Sequence, residues 1–470
     1  MTRQQAIGEA TRFFDNGGFL AMLGRLVALR TESQAANQHE ELRAFLDSGI
    51  APDLAAAGFK TTIHPNPKPA FGDFLIAERH EDDGLPTILI YGHGDTVRCE
   101  PDQWRAGLAP LAVTVEGDRW YGRGTADNKG QIAINIAALR AAMAARGGRL
   151  GFNTRIIVEM GEETGSPGLH DICRQQRDAL AADVLIASDG PRLAANRPTM
   201  FLGSRGAANI DLSVNLRTGA HHSGNWGGLL RNAGTILAHA IATLVDARGT
   251  ILVEKLRPPP IPPAVRQALA DLNVGGGAND PVIDADWGEP GLTAAERVFG
   301  WNALEVLAFT TGNPARPLNA IPESAKATIQ LRFVVGTDVS DLPDVLREHF
   351  AQAGFPWIEV KAGAMDIMNA TRLDPENPWV TWAKASMAAT TGAPPALLPN
   401  LGGSIPNDAF ADILGMPTIW IPHSYPACSQ HAPDEHLLGS VAREGLAIMA
   451  GLFWDLGETT TPHRSAKSAT

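Results

Sequence analysis

The chain has 470 residues, 19% of them charged and 44% hydrophobic, enough for two or three domains with sizeable cores and the balance of an ordinary globular protein rather than a disordered one. A formal net charge of -12 argues against nonspecific nucleic-acid binding and against a polybasic membrane anchor, since both need a basic surface. The amino terminus lacks the basic-then-apolar pattern of a signal peptide and no apolar run approaches the roughly 20 residues that span a bilayer, so no membrane partner is expected and the cytoplasm is the expected compartment.

In chain order, apolar residues recur at helical spacing over 18–30 and 40–57, predicting two helices on one face of a sheet, and 60–64 and 74–78 read as strands. The run Thr87-Ile-Leu-Ile-Tyr91 then breaks at Gly92-His93-Gly94-Asp95. That is the pattern of a buried parallel strand delivering polar groups at its carboxyl end, where open α/β sheets bind ligands. A glycine-rich turn, Gly122-Arg-Gly-Thr-Ala-Asp127, leads into an alanine-rich helix over 129–145. It is no phosphate cradle: Gly130 follows Lys129 where Ser or Thr would stand, and Asp127 takes the place of a third dinucleotide-binding glycine.

The strand-then-acid design recurs. Arg155-Ile-Ile-Val158 leads to Glu162-Glu163, Asp183-Val-Leu-Ile-Ala187 to Ser188-Asp189, and Thr418-Ile-Trp-Ile421 to a loop holding His423, His431 and Glu435. Imidazoles and carboxylates released at one end of several strands, with no cysteine among them, suit one or two hard-to-borderline divalent ions, zinc first. Cys99, Cys173 and Cys428 are too scattered for a disulfide framework and read as packing residues.

Beyond 205 the character changes. A strand over 207–217, a helix over 225–245, strands over 303–309 and 325–335, a helix over 339–353 and a strand over 357–360 follow the ferredoxin-like order, with a Pro- and Gly-rich excursion at about 249–300. Residues 206–363 are therefore expected as an inserted domain, flanked by the two parts of a first domain at 1–205 and 364–470. Helices over 378–390 and 440–456 close the first domain, and the polar tail from 458 is expected to be disordered.

His93-Gly-Asp95, Gly122-Arg-Gly-Thr-Ala-Asp127-Asn-Lys-Gly130, Glu162-Glu163-Thr-Gly-Ser-Pro-Gly168, Ser188-Asp189 and His431-Ala-Pro-Asp-Glu435, in that order, resemble the di-zinc metallopeptidases and aminoacylases that include carnosine dipeptidases, acetylornithine deacetylase and succinyl-diaminopimelate desuccinylase. The resemblance implies an α/β fold, a mixed-sheet catalytic domain with an inserted ferredoxin-like α+β lid or dimerisation domain. It implies two divalent ions per subunit, zinc or else cobalt or manganese: His93 and Asp189 on one, Glu163 and His431 on the other, and Asp127 bridging both, about 3.5–4 Å apart. Asp95 would accept from the other nitrogen of His93, Glu162 would act as general base, and His222, in Gly219-Ala-His221-His222-Ser223-Gly224, would stabilise the oxyanion, either in its own site or, as often in the relatives, in the partner subunit's site, which implies a homodimer. Arg332 and the Gly402-Gly403-Ser404 turn would grip a substrate carboxylate.

The expected activity is hydrolysis of an amide bond in a small carboxylate-bearing molecule, a dipeptide or an N-acyl amino acid, by metal-activated water. The alternatives are a specialised catabolic amidase or deaminase on the same cage, and a metal-stabilised binding protein without turnover. Glu162 argues against the last, because a structural site needs no base beside its ligands.

Overall fold

The computed structural model describes residues 2–35, 38–276, 281–363, 367–458 and 461–462. The expected disorder from 458 onward concerns a tail lying almost entirely outside these residues.

An eight-stranded mixed sheet organises the first and last parts of the chain, in the order Lys60–His64, Phe74–Arg79, Asn153–Glu159, Thr87–His93, Val184–Ala187, Thr418–Trp420, Thr199–Phe201, Ala396–Leu398. The Thr87–His93 strand runs parallel to both neighbours, with His93 in register with Glu159, and Thr418–Trp420 runs parallel to Val184–Ala187. Four apolar strands therefore end on one side, as their sequences imply. Each is buried on both faces, which is why it reads as a continuous apolar run rather than an alternating one.

Helices Gly18–Val27, Lys129–Ala145 and Gly439–Leu456 bury one face of this sheet. Helix Leu169–Gln175, the turn Ala409–Ile413 and parts of the excursion cover the other. Helix Arg3–Asp15 is absent from the sequence expectation. Ala6 and Ala10 are buried along it and Phe13 and Phe14 pack half-buried at its last turn, so its apolar stripe is short, although Thr2 and Gln5 form a capping box at its start. The helix expected over 40–57 is helical throughout but passes through a wider π turn at Phe45–Ile50.

A second sheet, in the order Ala303–Thr311, Ser324–Phe333, Gly206–Asn215, Ile358–Ala362, is antiparallel throughout and carries helices Ala233–Ile241 and Leu342–Gln352. Strand, helix, strand, strand, helix, strand with that neighbour order is the ferredoxin-like arrangement. Ala208, Ile210, Leu212 and Val214 face its helices, while Asn209, Gln330 and Arg332 lie on the alternate positions. The single helix expected over 225–245 is two pieces, Ser223–Trp226 and Ala233–Ile241. Gly227 and Gly228 interrupt it, Gly228 at φ +80, a backbone that ends a helix and that a β-carbon disfavours.

A third, three-stranded sheet was not expected because its strands are only three residues long. Thr114–Glu116, Arg119–Tyr121 and His436–Leu438 pair antiparallel, with His436 opposite Tyr121. This pairing lays the loop that follows Thr418–Trp420 against the glycine-rich turn before Asp127.

Candidate metal centre

Asp127 is delivered by a turn whose shape its glycines permit. Gly124 sits at φ +87, and a β-carbon on Gly130 would stand 1.9 Å from the carbonyl oxygen of Thr125, so the helix beginning at Lys129 can start tight against its own approach loop. Glu435, from the opposing loop, locks the turn: its Oε1 accepts from the backbone N–H groups of Gly124, Ala126 and Asp127 at 3.0, 2.9 and 3.1 Å, and its Oε2 pairs with buried Arg123 at 2.8 Å. One carboxylate thus ties the Asp127 turn to the His431 loop. The sequence analysis quoted Glu435 within a motif and gave it no task. No local signal marks it, since Arg123 and the glycine-rich turn that it binds lie 308 and more residues away along the chain.

Around Asp127 two groups form. His93 Nε2 lies 3.0 Å from Asp127 Oδ1 and 3.7 Å from Asp189 Oδ2. His431 Nε2 lies 3.0 Å from Asp127 Oδ2 and 3.0 Å from Glu163 Oε2. In each group, His93–Asp127–Asp189 and Asp127–Glu163–His431, candidate ligand atoms lie within 4.8 Å of one another. Gln430 also donates to Asp127 Oδ2. His431 and Asp434 sit at φ +60, where non-glycine residues are uncommon, in a loop held by the Asp434 carboxylate accepting from Arg105 N–H and by the Cys428 carbonyl accepting from His436 N–H.

Asp95 is fully buried. Its carbonyl oxygen lies 3.1 Å from His93 Nδ1 and its Oδ1 3.4 Å from the same nitrogen, while its two carboxylate oxygens accept from the N–H groups of Glu162 and Glu163 at 3.1 Å each. The same residue therefore orients the imidazole, through its carbonyl, and anchors the turn bearing the acid pair, through its carboxylate. Glu162 points inward to within 4.0 Å of His93 Nε2. Beneath the turn, Glu159 Oε1 accepts from Tyr91 Oη at 2.8 Å and Ser166 Oγ at 3.0 Å.

The electrostatics are those of a site short of positive charge. Burial, with the neighbouring Asp127, pushes Asp189 up to about 6 and Glu163 up to about 7, and burial together with Asp189 and Glu163 raises Glu162 well above the usual carboxylate range. Burial opposes ionisation of Asp127 too, yet hydrogen bonds from His431 and His93 hold it well below that range. Hydrogen bonds to Asp127 and Glu163 raise His431 to about 11. Asp189 Oδ2, buried, has no hydrogen-bond partner among the described residues. Two imidazoles and three carboxylates, one of them with an orphaned buried oxygen, fit divalent cations by donor chemistry, and Asp127 is common to both groups.

Asp127, Glu162, Glu163, Asp189 and His431 line a cavity of about 770 Å³, and Arg332, Gly402, Gly403 and Ser404 line the same cavity. Arg332 Nη1 donates to Ser404 Oγ at 2.8 Å, Ser404 Oγ to the Arg205 carbonyl at 2.8 Å, and Arg205 Nε to the Gly402 carbonyl at 2.9 Å. His222 is not brought to this cavity within one chain. It lies exposed on a two-residue strand paired with Ala320–Ile321, its Nδ1 accepting from Gly224 N–H at 3.1 Å. Cys99, Cys173 and Cys428 are buried free thiols, as their packing reading implies.

Known proteins carry the same organisation. The chain is 27% identical over 384 residues, 79% of each protein, to a cysteinylglycine-S-conjugate dipeptidase from Corynebacterium striatum. Its fold is similar to that of an M20 family metallo-carboxypeptidase from Sulfolobus solfataricus (TM-score 0.78, 23% identity, 93% of this chain and 99% of that one). It is equally similar to the dipeptidase Dug1p from Saccharomyces cerevisiae (TM-score 0.78, 20% identity, 98% and 100%). Residues 89–455 match the model of Peptidase family M20/M25/M40, a span holding His93, Asp127, Glu162, Glu163, Asp189 and His431, and the chain belongs to that family.

Proposed function

We propose that the chain is a dipeptidase whose two cations are held by His93 with Asp189 and by Glu163 with His431, Asp127 serving both. The observation that carries this reading is the pair of imidazole–carboxylate groups sharing Asp127, with a further acid, Glu162, beside them on a turn anchored by Asp95. The relatives named as dipeptidases support the substrate class. Zinc is the first choice, with cobalt and manganese as alternatives, because imidazole and carboxylate together suit borderline ions.

Bound there, the cations would polarise the scissile carbonyl and make a water acidic enough to deprotonate near neutral pH. Glu162 takes the proton of the attacking water and returns it to the departing amine, a task suited to a carboxylate held beside the proposed ligands on the turn that Asp95 anchors. Arg332 and the Gly402–Ser404 turn hold the free carboxylate. Nη2 of Arg332 has no partner among the described residues, leaving one edge of the guanidinium for it.

The inserted part, 206–363 between 1–205 and 364–470, would serve as lid and dimerisation domain. The edge strand Ala303–Thr311 supports the homodimer: it has a free side in its sheet and exposes Val306, Leu307 and Phe309. His222, exposed and away from its own chain's cavity, is then the partner subunit's donor to the oxyanion. A cytoplasmic setting agrees with the absence, among the described residues, of any helix long and apolar enough to cross a membrane. Hydrolysis of a dipeptide panel after loading with zinc, cobalt or manganese tests the whole reading. Cleavage of dipeptides, lost on chelation and restored by metal, is the expected result, and failure on every dipeptide with each metal would refute it.

A further inference from the structure

The cavity's volume lies in the upper part of the range for small-molecule sites, about 300–1,000 Å³. Its chemistry is unevenly divided. The four carboxylates that line it, Asp127, Glu162, Glu163 and Asp189, all belong to the metal end. Toward the other end several polar groups are occupied with one another: Gln330 Nε2 donates to Asn209 Oδ1 at 2.8 Å, Arg332 Nε to Gln330 Oε1 at 2.9 Å, and Arg332 Nη1 to Ser404 Oγ. Arg192 also lines the cavity; Glu444 and the carbonyls of Pro422 and Ala195 take its Nη1 and Nε, and its Nη2 is buried without a partner among the described residues.

Much of the remaining lining is apolar: Leu193, Val274, Ile283, Phe299, Leu398 and Leu401. Two glycines locate this surface. A β-carbon on Gly190, the residue after Asp189, would meet Leu401 Cδ2 at 3.1 Å, so Leu401 stands directly beside the metal end. A β-carbon on Gly402 would meet Val298 Cγ1 at 3.0 Å and Phe299 Cε1 at 3.7 Å, so the turn that carries Ser404 to Arg332 lies on Phe299. The apolar wall thus runs between the metal cluster and Arg332. With a scissile carbonyl at the first and a free carboxylate at the second, the residue between them is the carboxy-terminal one.

Resting on the dipeptidase reading and narrowing it, we propose that the site selects dipeptides whose carboxy-terminal residue carries a large apolar side chain, with Leu401, Phe299, Val274 and Ile283 as the specificity wall. Against these four apolar side chains a charged group would lose water and face only hydrocarbon. An apolar one would remove both its own surface and the wall's from water.

The test measures kcat/KM of the metal-loaded enzyme on Ala-Gly, Ala-Leu, Ala-Phe, Ala-Asp, Ala-Lys and Leu-Gly. Ala-Leu or Ala-Phe should exceed Ala-Gly by about 10- to 100-fold, with Ala-Asp and Ala-Lys no better than Ala-Gly. Ile283 is 48% exposed, so Ile283→Asp opens no core, and it should cut the Ala-Leu to Ala-Gly ratio by about 5- to 10-fold. Turnover with a flat profile, a preference for Ala-Asp, or a gain in Leu-Gly but not in Ala-Leu would overturn the proposal while leaving the dipeptidase reading intact. An unchanged ratio in both Ile283→Asp and Val274→Asp would overturn the wall. No cleavage of any dipeptide would remove the dipeptidase reading itself, and the proposal with it.

Discussion

At the metal end of the cavity, His93, Glu162, Glu163 and Asp189 leave the carboxyl edge of one sheet or turns hydrogen-bonded to it; Asp95 ties His93 to the acid pair, and Glu435 ties down the turn that carries Asp127. At the other end Arg332 arrives on a strand of a separate sheet and is held through Ser404, more than seventy residues further along the chain, while His222 does not reach the cavity of its own subunit. The first end is rigid by construction. The second depends on how two sheets, and in the proposed dimer two subunits, are set against each other, so damage to it should show in substrate handling rather than in the metal site.

That contrast can be broken at either end. The largest effect is expected from Glu162→Gln, which keeps the shape of the turn and removes the proposed base: kcat should fall by about 10³-fold or more, with metal content unchanged by elemental analysis. Retained activity would remove Glu162 from that role. His222→Ala should lower kcat by about 10²-fold while the subunit keeps its metals. Mixing His222→Ala and Glu162→Gln subunits should restore part of the activity, because one hybrid site then has both residues; no recovery in a verified mixed dimer would place His222 in its own subunit's site or nowhere in catalysis.

Smaller effects sharpen the contrast. Glu435→Gln weakens acceptance from three backbone N–H groups and removes the charge facing Arg123, so metal affinity measured by chelator competition should drop by about 10- to 100-fold. Loss of folding by circular dichroism without a metal-affinity change in the folded fraction would reduce Glu435 to a packing role. Arg332→Lys, which swaps a planar fork for a point charge, should raise KM by about tenfold with kcat nearly unchanged. An equal fall in kcat would tie Arg332 to the chemical step instead.

The strands that end in His93, Glu162–Glu163 and Asp189 were legible because each is buried on both faces and reads as an unbroken apolar run before a polar stop. The alternation of Ile210, Leu212 and Val214 announced the second sheet for the complementary reason, one face packed and one open. Helix Arg3–Asp15 was silent because its contacts come from two small alanines and from Phe13 and Phe14 crowded at its last turn, and the Gly227–Gly228 break because helical spacing resumes beyond it.

Periodicity and side-chain type, which are local properties, were enough to name the elements, the chemistry of the cluster and its family resemblance. They could not say that Glu435 would lock the Asp127 turn, that Asp95 would hold the acid pair as well as an imidazole, or that Leu401 and Phe299 would share a wall with Arg332. Each of those is a meeting of segments from about 70 to more than 300 residues apart, created when short strands pair and sheets pack, and no pattern along either segment encodes its partner.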